Sequence, residues 1–374
     1  MLTLIRNVFI VDGSLRKPYK ADVLISKNHV LSIGEISERE NYLVVEGEGR
    51  YLSPGFIDVE YQGLESFILQ DREQRHYLEN GITTLVVGHR GKSLAPIFKK
   101  ELEILGASLN RNWGSFRDFR ETIKNNKYGL NFVSLVGDFN IRSSFGSLYK
   151  GGMTAIDKNS FLSVLYNSLA SGALGLSSNM GGGFDTHLDD LKKNTQFTLG
   201  HKRMVSVSFS NLDFNKRKEI LLILLREKRK INRGLVFISD INLEDISYLK
   251  RSRALNEILA SFTPVSKTDF ITLFENNNLF PTNKGGQGEI FKEIIKMGLK
   301  RQEGLSIEKV INKITQKPAL SMGVFDSYEI RSGFRADLVL FDSLANINEV
   351  FVAGERVKSG NLSNNLAGKF YYVA

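Results

Sequence analysis

Short alternating runs of apolar and polar residues open this chain, and a slower rhythm takes over after residue 55. LTLIRNVFIV, ADVLIS, HVLSIG and YLVVEG read as strands, separated by turn chemistry at Asp12-Gly13, Lys27-Asn28 and Gly47 to Gly49. Residues 335–374 read the same way, with ADLVLFD, EVFVAGERV and KFYYV. The pattern predicts a small β-sandwich domain assembled from residues 1–54 and 335–374.

Between them, residues 55–334 alternate strand and helix. FIDVE, ITTLVVG, LNFVSLVG, ALGLSS, MVSVSF and GLVFISD are expected strands. Asp71–Asn80, Phe116–Asn125, Lys158–Ser171 and Lys216–Lys230 are expected helices, with C-terminal glycine stops at Asn80-Gly81 and Ser171-Gly172. Two further strands are placed near Leu259–Val265 and Leu279–Thr282. Alternation over roughly 270 residues points to a parallel sheet with crossover helices, of a length that suits a (β/α)8 TIM-like barrel. An open doubly wound sheet is the alternative. The fold class is α/β.

Composition narrows the function. The chain has 374 residues, 42% hydrophobic and 24% charged, as in ordinary globular proteins. It contains no cysteine, which removes disulfides and thiolate metal sites and suits a cytoplasmic location. No apolar run approaches the ~18–20 residues that span a bilayer, and the N-terminus does not read as a signal peptide. The net charge is +9, densest at Arg226–Arg233 after the run ILLILL. That placement reads as the exposed last turn of a helix, where the macrodipole favours cations, rather than a nucleic-acid surface.

The order of segments resembles the N-acyl-D-amino-acid deacylase (D-aminoacylase) branch of the amidohydrolase superfamily. LIRNVFIVDGSLRKPYKADVLISKNHVLSIGEI is similar to that family's opening, and YLSPGFIDVE to its entry into the barrel. GITTLVVGHRG, WGSFRDFRETI with NFVSLVGDFNIR, and SGALGLSSNM resemble its next three units. GLSIEKVINKITQKPALSMGVFDSYEIRSGFRADLVLFD resembles its exit. The likeness covers most of the chain and is weakest at Phe184–Ser210 and Ile241–Phe280.

The resemblance implies hydrolysis of non-peptide C–N bonds by a divalent metal, zinc in this family, that activates water and polarises a carbonyl. Matched residue by residue, the ligand positions are changed. The family's His-x-His pair falls on Glu60 and Gln62, its bridging cysteine on Arg90, and its later histidines on Asp138, near Ser208 or Phe209, and on Asp240. The aspartate of its SDG phrase falls on Asn283, which cannot take a proton from water. Arg90 keeps its charge and opposes a divalent cation. The expectation is therefore an amidohydrolase-like chain, degenerate at the metal site, with no metal cofactor.

Two remodelled arrangements stay open at these positions. In one, Arg90, with or without Lys284, pairs with Glu60, Asp138 and Asp240 in an ion-pair network. Alternatively, those three carboxylates form the site of an active amide or cyclic-amide hydrolase, with a hard ion, Mg, Mn or Ca, or with none. The five histidines, His29, His76, His89, His187 and His201, include no His-x-His or His-x3-His pair; His89, beside Arg90, is a candidate acid–base group. Glycines 181–183 and Gly285-Gly286-Gln287-Gly288 read as loops, with anion cradling as the second reading. Expected partners are a small molecule at the strand ends and a homo-oligomer, or a hetero-oligomer with an active relative. A membrane and nucleic acid are not expected.

Overall fold

The architecture comes from a computed structural model. It describes residues 2–61, 74–97, 113–125, 128–145, 153–181, 186–209, 211–282, 289–357 and 367–372. Gln62, Asn283, Lys284, glycines 182 and 183, and Gly285 to Gly288 lie outside the described residues.

The alternating runs at the two ends meet in one eight-stranded sheet. Its strands are β1 (Leu2–Ile10), β2 (Tyr19–Ser26), β3 (His29–Gly34), β4 (Tyr42–Glu46), β5 (Tyr51–Pro54) and, from the far end of the chain, β15 (Leu338–Phe341), β16 (Ile347–Val352) and β17 (Glu355–Arg356). Its hydrogen bonding is continuous, through one edge of β1 that serves two partners. Leu2–Arg6 pairs with β4, and Phe9–Ile10 pairs with β5. The register of β1 against β2 shifts between Ile5 and Val8, where Asn7 takes a positive φ of 53°. That bulge separates the two pairings, and apolar side chains from both parts, Ile5, Val45, Leu52, Leu338 and Phe351 among them, form one cluster.

The middle of the chain supplies parallel strands: β6 (Phe56–Asp58), β7 (Ile82–Val87), β8 (Asn131–Ser134), β9 (Val136–Gly137), β10 (Gly175–Asn179), β11 (Met204–Ser208), β12 (Leu235–Ser239), β13 (Leu259–Phe262) and β14 (Leu279–Pro281). They run in the order β6-β7-β8 and β9-β10-β11-β12-β13-β14. Only Leu135 separates β8 from β9, so the two sheets continue one another. Almost every residue of these strands is buried, as expected when both faces are covered. At the outer edges, Thr282 Oγ1, just past β14, lies 2.9 Å from both Asp58 Oδ1 and the Glu60 carbonyl oxygen beyond β6.

The helices between strands start and stop where local chemistry dictates. Thr154 and Ser266 each make a capping box with the aspartate three residues on, ahead of Ala155–Ala170 and Lys267–Glu275. The helix Phe214–Ile231 carries Asp213 as its cap and Lys228, Arg229 and Lys230 in its last turn, so the basic cluster is a helix end. Among the described residues no helix is long and apolar enough to cross a membrane.

One terminal strand lies elsewhere than expected. KFYYV was assigned to the terminal β-domain, yet β18 (Phe370–Tyr371) pairs in parallel with β8. Aromatic packing explains the choice: Phe370 meets Phe116 and Phe119 at centroid distances of 6.1 and 5.5 Å, and Tyr371 donates to Asp326 at 2.6 Å. A buried network then ties this tail to both sheets. Arg335 Nε lies 3.1 Å from both carboxylate oxygens of Asp337, while its Nη2 donates to Asn131 Oδ1 and to the Ala367 carbonyl.

Candidate functional site at the strand ends

The expected site residues stand where the parallel strands end. Glu60 follows β6, Arg90 follows β7, Asp138 follows β9 and Asp240 follows β12. The turn after β7 depends on backbone freedom. Gly88 and Gly91 have φ of 87° and 75°, and a Cβ on Gly88 would stand 2.5 Å from the Leu135 carbonyl oxygen. Arg90 and Asp240 also hold positive φ, 58° and 56°, without being glycine. Such strain gathers at working sites, where the surroundings enforce it.

Glu60 is completely buried, and its position forces a choice of partners. Ser261 of β13 donates to Oε2, while Arg90 Nε lies 3.5 Å from Oε1. Burial pushes the carboxyl up to about 7, against the opposing pull of the Ser261 hydrogen bond and of Arg90. Arg90 Nη2 also lies 3.9 Å from Asp240 Oδ2, and the Asp240 backbone N–H donates to Ser261 Oγ at 2.6 Å. Arg90 thus reaches two carboxylates, but at ion-pair range only. Its buried Nε makes no hydrogen bond, while its side chain as a whole is 40% exposed.

His89 turns the other way, into the interior. Its Nδ1 lies 3.0 Å from Ser206 Oγ and 3.3 Å from Ser239 Oγ, and its ring packs on Phe237. Burial holds the imidazole down to about 3, with Arg90 pushing the same way and the Val59 backbone opposing. It is neutral at physiological pH, which suits a positioning group better than an acid–base one. Asp138 does not join the Glu60–Arg90–Asp240 cluster. It accepts from Thr186 and faces Arg142 at 3.7 Å, so the expected three-carboxylate set is two carboxylates plus a separate pair. Burial raises Asp138, against the pull of Arg142. Ser208 is also separate, donating to Asn179 at 2.7 Å. The remaining histidines are scattered: His29 on β3, His76 on the short helix Arg75–Leu78, and His187 and His201 capping Leu188–Gly200.

Sequence reasoning missed Ser206, Ser239, Ser261 and Thr282, which supply most of the hydrogen bonds here. The signal was available: MVSVS, LVFIS and LASF each place a serine at an inward position of a consecutive parallel strand.

Comparison with known proteins places this geometry. No family model matches the chain. An N-acyl-D-aspartate deacylase of Alcaligenes xylosoxydans xylosoxydans is 22% identical over 96% of this chain and 89% of its own length. A D-aminoacylase of the same organism is 24% identical over 45% of this chain and 35% of its own length. An adenine deaminase of Clostridium perfringens is 26% identical over 95% of this chain and 58% of its own. Among solved structures, D-aminoacylase superposes with a TM-score of 0.82 and N-acyl-D-glutamate deacylase of Bordetella bronchiseptica with 0.85, each 16% identical and covering 99% of both chains. The chain is homologous to N-acyl-D-aspartate deacylase and D-aminoacylase, and has the α/β fold of D-aminoacylase.

These structures correct one expectation, that of no metal cofactor. The N-acyl-D-glutamate deacylase is complexed with zinc, one D-aminoacylase with copper chloride, and another is described by its binuclear metal center. These neighbours of the same fold thus hold metal. The residues at the expected positions fit it poorly. Glu60 is already shared between Ser261 and Arg90, Asp240 faces the same guanidinium, and Asp138 is turned to Arg142. Among the described residues no three His, Cys, Asp or Glu side chains converge as a metal-holding group.

Proposed function

We propose that this homologue of the N-acyl-D-amino-acid deacylases is an amidohydrolase-like protein with a remodelled reaction site. In this reading Arg90 supplies, between Glu60 and Asp240, the positive charge that compensates the carboxylates, and the family's hydrolysis of N-acyl-D-amino acids is lost. The protein keeps the strand-end site as a binding site for a small molecule. The observation that carries the reading is the contact of one guanidinium with both carboxylates, at 3.5 and 3.9 Å. A guanidinium keeps its proton, and so its charge, beside the two carboxylates. Residues 1–54 with 335–374, and 55–334, are the proposed domain limits, with the β18 segment packed on the second of them. Assays on N-acetyl-D-aspartate and N-acetyl-D-glutamate, with added zinc or manganese and after chelation, test the proposal. Turnover that chelation removes and zinc restores would overturn it.

A second reading rests on Glu60. A carboxyl near 7 exchanges its proton at neutral pH, beside a serine hydroxyl and an arginine, and could serve an amide or cyclic-amide hydrolase as acid–base group. Here Glu60 would take a proton from attacking water and return it to the leaving nitrogen as the C–N bond breaks, Arg90 would hold the developing oxyanion, and Ser261 would keep Glu60 in place. Hydrolysis of a dihydropyrimidine or hydantoin that Glu60→Gln abolishes would favour it over the first reading.

A further inference from the structure

Where the parallel strands begin, at the end opposite the Glu60 cluster, the surface is strongly basic. β11, β12 and β13 lie side by side there, with Met204 level with Leu235 and Phe237 level with Leu259. The connections that lead into them bring residues 201–203, 232–234 and 251–253 to this one end. Lys202, Arg233, Arg251 and Arg253 are exposed, and among the described residues none of the four has an ion-pair partner. The helix macrodipole accounts for neighbouring charges that are already engaged. Lys228 Nζ, in the last turn of helix Phe214–Ile231, donates to the Gly234 carbonyl at 2.8 Å, and Arg229 pairs with Glu257 at 2.6 Å. It does not call for Lys202 and Arg253, which stand past their helices at positive φ, 59° and 55°, where glycine or asparagine is usual. Two of the unpaired cations therefore sit where a side chain carries a backbone cost.

Exposed aromatic rings flank these cations. Tyr166, 51% exposed on helix Ala155–Ala170, has its ring centre 5.6 Å from that of His201, which packs in turn on Phe197 at 4.4 Å. Tyr372, 58% exposed, carries the Arg120 guanidinium 5.5 Å from its ring centre, and Arg120 also pairs with its neighbour Glu121. Both groups reach the end of the same helix. Arg120 Nη1 donates to the Ser171 carbonyl at 3.0 Å, and Arg203 Nη2 to the Leu169 carbonyl at 3.5 Å. Gly172 leaves room for the tyrosine, since a Cβ there would stand 2.4 Å from Tyr372 Cβ. The Arg203 carbonyl in turn accepts from the Leu235 N–H at 3.3 Å, just past Arg233. A continuous band thus runs from Tyr372 and Arg120, past Arg203 and Lys202, to Arg233 and Arg253.

We propose that this band binds a single strand of nucleic acid, whose phosphates meet Lys202, Arg233, Arg251 and Arg253 and whose bases stack on Tyr166 and Tyr372. Unpaired cations beside open rings are what a single strand uses, because it offers charge and base faces together. A duplex keeps its base faces stacked inside, and an anionic lipid surface has none. The proposal departs from the expectation drawn from Arg226–Arg233 alone, because turns distant in sequence supply the other cations and the rings. Each phosphate contact releases counterions, so four contacts give a slope of about −3 for the logarithm of affinity against the logarithm of salt concentration.

The test is fluorescence anisotropy of a labelled oligouridylate titrated with the full chain at several salt concentrations. The expected result is saturable binding with that slope, weakened about tenfold by Arg233→Glu, by Arg253→Glu and by Tyr166→Ala. Lys20→Glu, at an exposed position of β2 in the terminal sheet, alters net charge as much as either arginine change and should leave affinity unchanged. All four side chains are exposed, and a urea midpoint equal to that of the wild type separates loss of binding from loss of fold. Absence of saturable binding, equal weakening by Lys20→Glu, or unchanged affinity in Tyr166→Ala would overturn the proposal. So would a duplex or a phosphatidylserine vesicle bound as tightly as the single strand. None of these outcomes depends on what the strand-end cluster does.

Discussion

Among the arginines that meet buried carboxylates, Arg335 and Arg90 do so differently. Arg335 lies 3.1 Å from both oxygens of Asp337, donates to Asn131 and Ala367, and has an 8% exposed side chain. Asp337 also accepts from Asn131 Nδ2 and the Ala353 N–H, so its oxygens are well supplied with donors. Arg90 reaches Glu60 and Asp240 only at 3.5 and 3.9 Å, leaves its Nε without a hydrogen bond, and keeps 40% of its side chain open. The first arrangement is what a structural ion pair needs, because buried charge is stable only when every lone pair and N–H is used. The second retains unused hydrogen-bonding capacity beside strained backbone. That contrast separates a joint from a site.

Breaking the joint should have the larger effect. Arg335→Met leaves the buried Asp337 carboxylate without its positive partner and is expected to cost about 3–5 kcal/mol, read as a lower urea midpoint. Arg90→Met should cost less, about 1–3 kcal/mol, because Glu60 can take a proton once its partner is gone. A loss at Arg90 as large as that at Arg335 would mean that the strand-end cluster is structural.

Smaller effects should appear in the pH dependence of stability. Glu60 titrates at about 7 in the folded protein against an ordinary 4.5, so the folded state holds the extra proton between those values. Stability from this group therefore falls as pH rises from about 4.5 to 7, and Glu60→Gln should remove that fall. His89 works in the opposite sense. Its folded value of about 3 lies below the ordinary 6.5, so the unfolded chain holds more protons and stability rises with pH across that window. His89→Asn should flatten this rise. Chemical denaturation at pH steps from 4 to 8 would resolve the two slopes, and identical profiles for wild type and both variants would contradict the burial assigned to these groups.

Much of the fold was legible because period and punctuation agree along the chain. ITTLVV, MVSVS and LVFIS are strands as read, and Phe116–Asn125 is the helix expected. The short strands near Leu259 and Leu279 were also found where the alternation required them. KFYYV misled because an apolar strand pattern carries no information on its partner, and here the aromatic ring contacts of Phe370 decide it. Of the site, the positions after each strand could be read, since topology puts them at one end. Their pairing could not. Whether Asp138 faces Arg90 or Arg142 depends on the one-turn spacing inside Asp138–Ser143, and the serines of neighbouring strands become partners only when the strands are in register.

The most direct test of the remodelled site is zinc-dependent turnover of N-acetyl-D-aspartate by the purified chain, measured alongside its Glu60→Gln and Arg90→Met variants. The account predicts no rate above that of zinc alone for any of the three. Zinc-stimulated hydrolysis by the wild type, removed by chelation and by Glu60→Gln, would contradict it.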